Sequence, residues 1–378
     1  MALRPSSRRL LASLAFSLGL SWGHAEPIVI GQSLPLSGAG GFATGNRVHA
    51  GALAYINFIN EKGGVHGRPL KLVTLDDGND PKVHAGNVRQ LVAKEGAVVI
   101  VNCLDDTACK SGATAAAELG VPLVGPLAGS RELRQRAARH VFSVRPSHER
   151  EAELLVRQLQ SMGLTRVALL SDGNCGGERA AALATALGAG NIHMERLAAD
   201  GGADKLIAAL RDIGKASQQG VVLDLGLNSI DVLGQLPPET LTAIQDGLPG
   251  VVATTSAPGL TQLSRLFRGR VLGFTMVVPN PETSNLALIR DLNVQSERAS
   301  SADAITFEGL ESYLHLRLVV EALRRAGPRV DATKLQKTLA EITTLDLGGF
   351  KLSFREEPRN GSDWMEIGMR SRTGRMLR

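Results

Sequence analysis

Three features of this 378-residue chain predict an α/β protein made of two successive parallel-sheet halves. Short apolar runs of strand length alternate with segments of helical period, the pattern of parallel strands joined by helical crossovers. The alternation runs once before about Val144 and again after Pro146. The end of the chain then changes character, and Gly349–Phe354 and Trp364–Met369 alternate as antiparallel strands do.

In the first half the strand-like runs are Ile28–Gly31, Leu70–Leu75, Ala97–Val101 and Pro122–Val124. Helical patterns at Arg47–Glu61, Val83–Lys94 and Thr107–Leu119 separate them. Lys62-Gly63-Gly64 closes the first helix with glycines suited to a left-handed cap. Asn79-Asp80-Pro81 opens the second, because proline is tolerated in the first helical turn. In the second half, runs at Arg166–Leu170, Gly220–Leu223, Val251–Thr254 and Val271–Met276 alternate with helical segments His148–Met162, Glu178–Leu187 and Asp204–Ile213. The strongest helical pattern, Asp303–Ala326, follows the connection Val278-Pro279-Asn280-Pro281.

Residues 1–25 read as a cleaved secretory signal. Arg4, Arg8 and Arg9 precede the apolar run Leu10–Leu20, and Gly23 and Ala25 stand at the −3 and −1 positions of a cleavage site. The run is too short for a stable membrane span, and no cysteine follows it for lipid attachment. A mature chain from Glu26, soluble in the periplasm, is expected. Removing those three arginines takes the formal charge from +5 to +2, which weakens any case for nucleic-acid binding. Aromatic residues are 3% of the chain, too few for base-stacking surfaces. Histidines 49, 66, 84, 140, 148, 193 and 315 are scattered singly and read as mostly surface residues. No metal site and no cofactor site are expected.

The stretch Asn102–Gly112 (NCLDDTACKSG) follows a buried-strand run and opens a helix. A strand-to-helix turn of this kind suits an anion, since the first helical N–H groups are unpaired. This turn instead carries Asp105 and Asp106. One aspartate capping the helix at Thr107 is the plain structural reading; the other reading turns Asp106 into a ligand cleft and Asp105 towards solvent.

The chain resembles the periplasmic substrate-binding proteins of ABC importers, in the branched-chain amino acid (Leu/Ile/Val) group. The motifs are Leu34–Gly38 (LPLSG), Ile59–Arg68 (INEKGGVHGR), Asp76–Pro81 (DDGNDP), Gly120–Pro126 (GVPLVGP), Phe307–Gly327, and Leu347–Phe354 followed by Gly361-Ser362-Asp363. The resemblance implies the type I periplasmic-binding fold, two Rossmann-like lobes joined by a three-crossing hinge. Residues 26–144 plus 281–348 would form lobe one, and 147–278 plus 352–378 lobe two. The crossings would lie near 144–147, 278–281 and 347–352. It further implies a monomer that binds a small molecule, an amino acid or amino-acid-like or amide compound, and hands it to a membrane permease without turnover. Carried over by position, the ligand grips fall on Asp106, Thr107 and Leu127-Ala128-Gly129-Ser130. On the facing lobe they fall on Cys175, Asn228 and Ser256, with Phe42 as the pocket-wall aromatic. Asp106 and Cys175 depart from the residues usual in relatives. Relatives that have a disulfide here usually place the partner cysteine in the Asp76–Pro81 loop, where this chain has Asn79. Cys103 is therefore expected to pair with Cys109, leaving Cys175 free.

Other readings are weaker. Gly38–Ala43 (GAGGFA) fits a dinucleotide fingerprint but lies too far beyond the strand and lacks the acidic residue about twenty positions on. No Gly-x-Ser-x-Gly elbow occurs, and no histidine near Cys175 supports it as a nucleophile. A ligand sensor of the same fold that reports to a signalling protein remains the alternative to an importer subunit.

Overall fold

The computed structural model describes residues 26–38, 41–173, 177–199, 201–215, 217–256, 259–267, 270–298, 301–354, 361–373 and 375–377. The expected leader and Cys175 lie outside the described residues. Among the described residues, no helix is long and apolar enough to cross a membrane.

The first half folds as β1 (Ile28–Leu34), α1 (Phe42–Glu61), β2 (Leu70–Asp76), α2 (Pro81–Ala93), β3 (Val99–Val101), α3 (Asp106–Glu118), β4 (Leu123–Val124) and β5 (Val141–Phe142). Its five strands form one parallel sheet in the order β2-β1-β3-β4-β5. The second half follows as α4 (His148–Ser161), β6 (Arg166–Ser171), α5 (Glu178–Ala189), β7 (His193–Ala198), α6 (Ala203–Lys215), β8 (Gly220–Asp224), α7 (Leu227–Gln235), α8 (Pro238–Gly247), β9 (Val251–Thr254), α9 (Leu260–Leu266) and β10 (Val271–Met276). The chain then adds α10 (Ala287–Arg298), α11 (Phe307–Ala326), α12 (Ala332–Ala340), the short pair β11 (Leu345–Asp346) and β12 (Lys351–Leu352), and finally β13 (Glu366–Arg370) and β14 (Met376–Leu377).

The second sheet runs β14-β13-β10-β9-β8-β6-β7. Strands β6 to β10 are parallel, while β13 and β14 close the edge antiparallel. The chain thus passes between the sheets after β5, returns to pack α10 and α11 on α1, and passes again to reach β13. Two of these passages lie side by side, since Gly361 and Ser362 donate their N–H groups to the carbonyls of Ser143 and Val144.

Helix α11 is buried on nearly every side, including its polar residues Glu308, Glu311, Ser312 and His315. Thr306 caps it through the Gly309 N–H, and Gly51 of α1 lets the two helices approach closely. A Cβ on Gly51 would stand 1.9 Å from the Gly309 carbonyl oxygen. Some elements differ from the sequence expectation. Helix α1 begins at Phe42 rather than Arg47, because Gly45 lets its first turn rest on the Pro35 carbonyl. The edge strand β7 is mostly exposed and polar, so it lacks the apolar signature of its buried neighbours. Within Gly349–Phe354 only Lys351–Leu352 pairs as a strand; Ser353 and Phe354 instead donate to Gly361 and Ile342.

Candidate functional site

The carboxyl ends of β3, β4, β6, β8 and β9 face one another across the gap between the two sheets. The loop after β3 is built tightly. Cys103 and Cys109 form a disulfide with Cα atoms 5.4 Å apart, and both are fully buried. Asp105 takes a left-handed backbone (φ 72°) and caps α3 by accepting from the Thr107 N–H at 2.9 Å. With Asp105 in that role, the side chain of Asp106 turns inward and is 3% exposed. Mass spectrometry of the mature protein is expected to find one alkylatable thiol without reductant and three with it. Three thiols in the absence of reductant would contradict the bridge.

Asp106 joins the two halves. Its Oδ1 accepts from the Ser130 N–H at 3.1 Å, and its Oδ2 accepts from His148 Nε2 at 2.6 Å. His148 is the first residue of α4, and its ring packs against Gly129, where a Cβ would come within 2.2 Å of Nδ1. Burial alone would raise the Asp106 pKa. The charge and hydrogen bond of His148, with help from Arg179 and the Ser130 N–H, outweigh burial and hold it at about 2. Asp105 is shifted the other way: burial raises it, and neighbouring Asp106 adds to the effect against the Thr107 hydrogen bonds and Arg179.

Between these groups lies a small cavity of about 10 Å³. Asp105, Asp106, Leu127 and Ala128 line it from the first half, and His148, Arg179 and Leu225–Leu227 from the second. Arg179 is held by Asp224 at the end of β8 and by the Leu225 carbonyl. A second cavity of about 10 Å³ shares Leu127 and reaches down between the chain crossings. Its polar lining is Arg145, Ser256, Glu308 and Glu311, and its apolar lining includes Leu260, Met276, Val277 and Phe307. Each holds about one water molecule, far below the roughly 300 Å³ at which small-molecule pockets usually begin, so the halves must part to admit a ligand. Sharing Leu127, the two mark a narrow slot between the halves.

The floor of this slot is a buried ionic network. Arg145 Nε lies 3.0 Å from Glu311 Oε1, and both side chains are 4% exposed. Arg145 also donates to the Ser256 carbonyl at 2.7 Å. Glu151 accepts from the Ser256 N–H and hydroxyl and from the Thr275 hydroxyl. Burial, opposed by Arg145 and reinforced by Glu151 and Glu308, pushes Glu311 up to about 7. Arg134, also buried, donates to the carbonyls of Ala128, Ser130, Arg145 and Pro146, and so ties the loop after β4 to the chain crossing. The rims meet as well: Lys110 pairs with Glu178 at 2.5 Å, Gly41 N–H donates to Asp231 at 2.7 Å, and Asn79 reaches Asn228. This is a closed arrangement.

Of the residues singled out from sequence, Asp106, Leu127, Ala128 and Ser256 line the slot. Gly129 and Ser130 lie behind it, with the Ser130 hydroxyl turned to Glu132 and Glu178. Three of the predicted site residues, Phe42, Thr107 and Asn228, do not line the slot in this closed arrangement. Phe42 is no pocket wall: it is 49% exposed on the outer stripe of α1, which buries Val48, Gly51 and Tyr55 instead. Thr107 is exposed and contributes its N–H to Asp105, and Asn228 is an exposed rim contact. The histidines are not mostly superficial either, since His84, His148 and His315 are buried. Sequence reading missed Arg145, His148, Arg179, Glu308 and Glu311. Arg179 carried a signal: a cation in the first turn of a helix opposes the dipole and needs a local partner, here Asp224. Among the described residues, no group of three or more His, Cys, Asp or Glu side chains could hold a metal ion.

Residues 27–367 match the family described as periplasmic binding protein. A Leu/Ile/Val-binding protein of Rhizobium johnstonii is 31% identical over 194 residues, an alignment that spans about half the length of each chain (51% of both). A Leu/Ile/Val-binding protein homologue of Brucella melitensis is 24% identical over 352 residues, 92% of this chain and 93% of that one. The crystal structure of a substrate-binding periplasmic protein from Ralstonia solanacearum superposes with a TM-score of 0.81 at 24% identity, covering 93% of this chain and 99% of that one.

Proposed function

This chain belongs to the periplasmic binding protein family, and from that premise we propose that it is an extracytoplasmic solute-binding protein that captures one small molecule by cleft closure and delivers it to an ABC permease. The observation that carries the reading is the slot at Leu127, lined by loops from the carboxyl ends of both sheets. Open α/β sheets bind ligands at that place. The lobes are residues 26–144 plus 281–348 and residues 147–278 plus 352–378. The crossings near 144–147, 278–281 and 347–352 act as the hinge. Relatives named as Leu/Ile/Val-binding proteins support an amino acid, or an amino-acid-like or amide compound, as the solute. The protein works in the periplasm as a monomer and carries out no chemistry on its ligand.

The lobes meet through polar rim pairs such as Lys110–Glu178 and Asn79–Asn228, through the buried Asp106–His148 pair, and through an apolar cluster of Leu34, Val48, Leu104 and Leu127 with Leu227. Opening breaks these contacts, and a ligand held between the lobes shifts the balance back towards the closed form. Small-angle scattering on the mature protein should show the radius of gyration fall when the solute is added, with the solute unchanged after incubation. Consumption of solute in proportion to protein concentration would replace this reading with an enzymatic one.

A further inference from the structure

We infer that the solute is an organic cation with an apolar body and no free carboxylate, a primary amine or an amino-acid amide or ester rather than an ordinary amino acid. The inference rests on the solute-binding reading and deepens it. Two observations lead to it. The first is that the turn best suited to a ligand carboxylate is already filled by the chain itself. The Ser130 N–H and His148 Nε2 both donate to Asp106, so a second carboxylate entering the slot would find those donors taken and an anion in place. In a water-excluding cleft, like charges at such range are poorly screened.

The second observation is the charge balance of the whole slot. Among the described residues, Asp105, Asp106, Glu308 and Glu311 line the two cavities, and Glu151 and Asp224 stand directly behind. Against these six carboxylates there are three guanidiniums, Arg134, Arg145 and Arg179, and the imidazole of His148. A cation entering with the ligand would offset that surplus. The apolar surfaces of Leu127, Leu225, Leu227, Met276 and Phe307 would suit an aliphatic body on the ligand.

Burial, opposed by Arg145 and reinforced by Glu151 and Glu308, raises Glu311 to about 7. Asp105, facing Asp106 and Arg179, is also raised, by burial. A bound ammonium favours the ionised form of Glu311 and so releases a proton. Since release on binding means that affinity grows as protons become scarcer, a permanently charged amine should bind more tightly at pH 8 than at pH 6.

The test is titration calorimetry of the mature protein with n-hexylamine, leucinamide, leucine and hexanoate, in two buffers of different ionisation enthalpy. The inference predicts that the two amines without a carboxylate bind at least about tenfold more tightly than leucine, that hexanoate gives no heat, and that amine binding releases protons. The affinity for n-hexylamine, charged throughout this range, should rise from pH 6 to pH 8. Glu311→Gln, which fixes the protonated form, should weaken n-hexylamine and flatten that pH profile. Leucine or hexanoate binding as tightly as the amines overturns the inference while leaving solute capture intact. Lack of response to all four compounds overturns it as well. Failure of every solute to close the lobes in scattering defeats the solute-binding reading itself.

Discussion

Arg145→Met is expected to lower the unfolding free energy by about 3–5 kcal/mol at pH 8, the scale for removing one partner of a buried ion pair. Methionine matches the aliphatic stem of arginine but leaves Glu311 buried with Glu151 and Glu308 as its charged neighbours. It also removes the donor to the Ser256 carbonyl. The loss should depend on pH in a definite direction. The folded-state pKa of Glu311 is raised from 4.5 to about 7, so its contribution is fully present below 4.5 and is lost as the pH rises through 7. Without Arg145 the folded value climbs further, and the cost of ionisation keeps growing above pH 7. At pH 5 Glu311 is protonated in both proteins, and only hydrogen bonds worth about 1 kcal/mol separate them. Urea denaturation at pH 5 and pH 8 measures the difference. Equal deficits at the two pH values would show that the pair is not the cause. The double variant Arg145→Met with Glu311→Met should recover most of the loss, since removing both charges removes the uncompensated one.

The same network shows where sequence reading succeeds and where it stops. The parallel strands were legible because their buried residues are apolar on both faces, as in Val99–Val101 and Gly220–Asp224. Asp105 as a helix cap, with Asp106 turned inward, was an open choice in the sequence. The left-handed backbone at Asp105 decides it, and neighbouring residues do not encode that conformation in any obvious way. Glu308 and Glu311 sit at the start of α11, where acids favour the helix dipole, so nothing in their spacing separates a buried charge from a solvated one. His148 and Asp106 are 42 residues apart and meet only because the chain crosses between the sheets just before α4. Contacts made by topology rather than by local periodicity leave no mark on the sequence.

Asp106→Asn should cost about 2 kcal/mol at neutral pH and change ligand binding as well. Asp106 accepts from two donors, the Ser130 N–H on one oxygen and His148 Nε2 on the other. Asparagine offers one oxygen and one NH2 group, so one of these donors must face another donor. Whichever way the amide is turned, its NH2 group meets either the Ser130 N–H or His148 Nε2, and the other ring nitrogen, Nδ1, is buried against Gly129 with no hydrogen-bond partner. Either outcome leaves a buried polar group unsatisfied, which costs about 1–3 kcal/mol. The pH dependence has the opposite sign to that of Glu311. The folded-state pKa of Asp106 is depressed from 3.8 to about 2, so its contribution is present above 3.8 and is lost as the pH falls through 2. At about 1.4 kcal/mol per unit, that shift is itself worth about 2 kcal/mol. The stability gap between the two proteins should therefore be constant above pH 4 and shrink between pH 4 and pH 2. A gap that persists unchanged at pH 2 would mean that the carboxylate charge of Asp106 contributes nothing to folding. Removing one of the four carboxylates that line the slot should also weaken n-hexylamine by about tenfold, the loss expected for one charge-assisted interaction. Leucine should gain affinity in the same variant, because the anion that opposes its carboxylate is gone. If n-hexylamine binds the variant and the unmodified protein equally well, Asp106 takes no part in choosing the ligand.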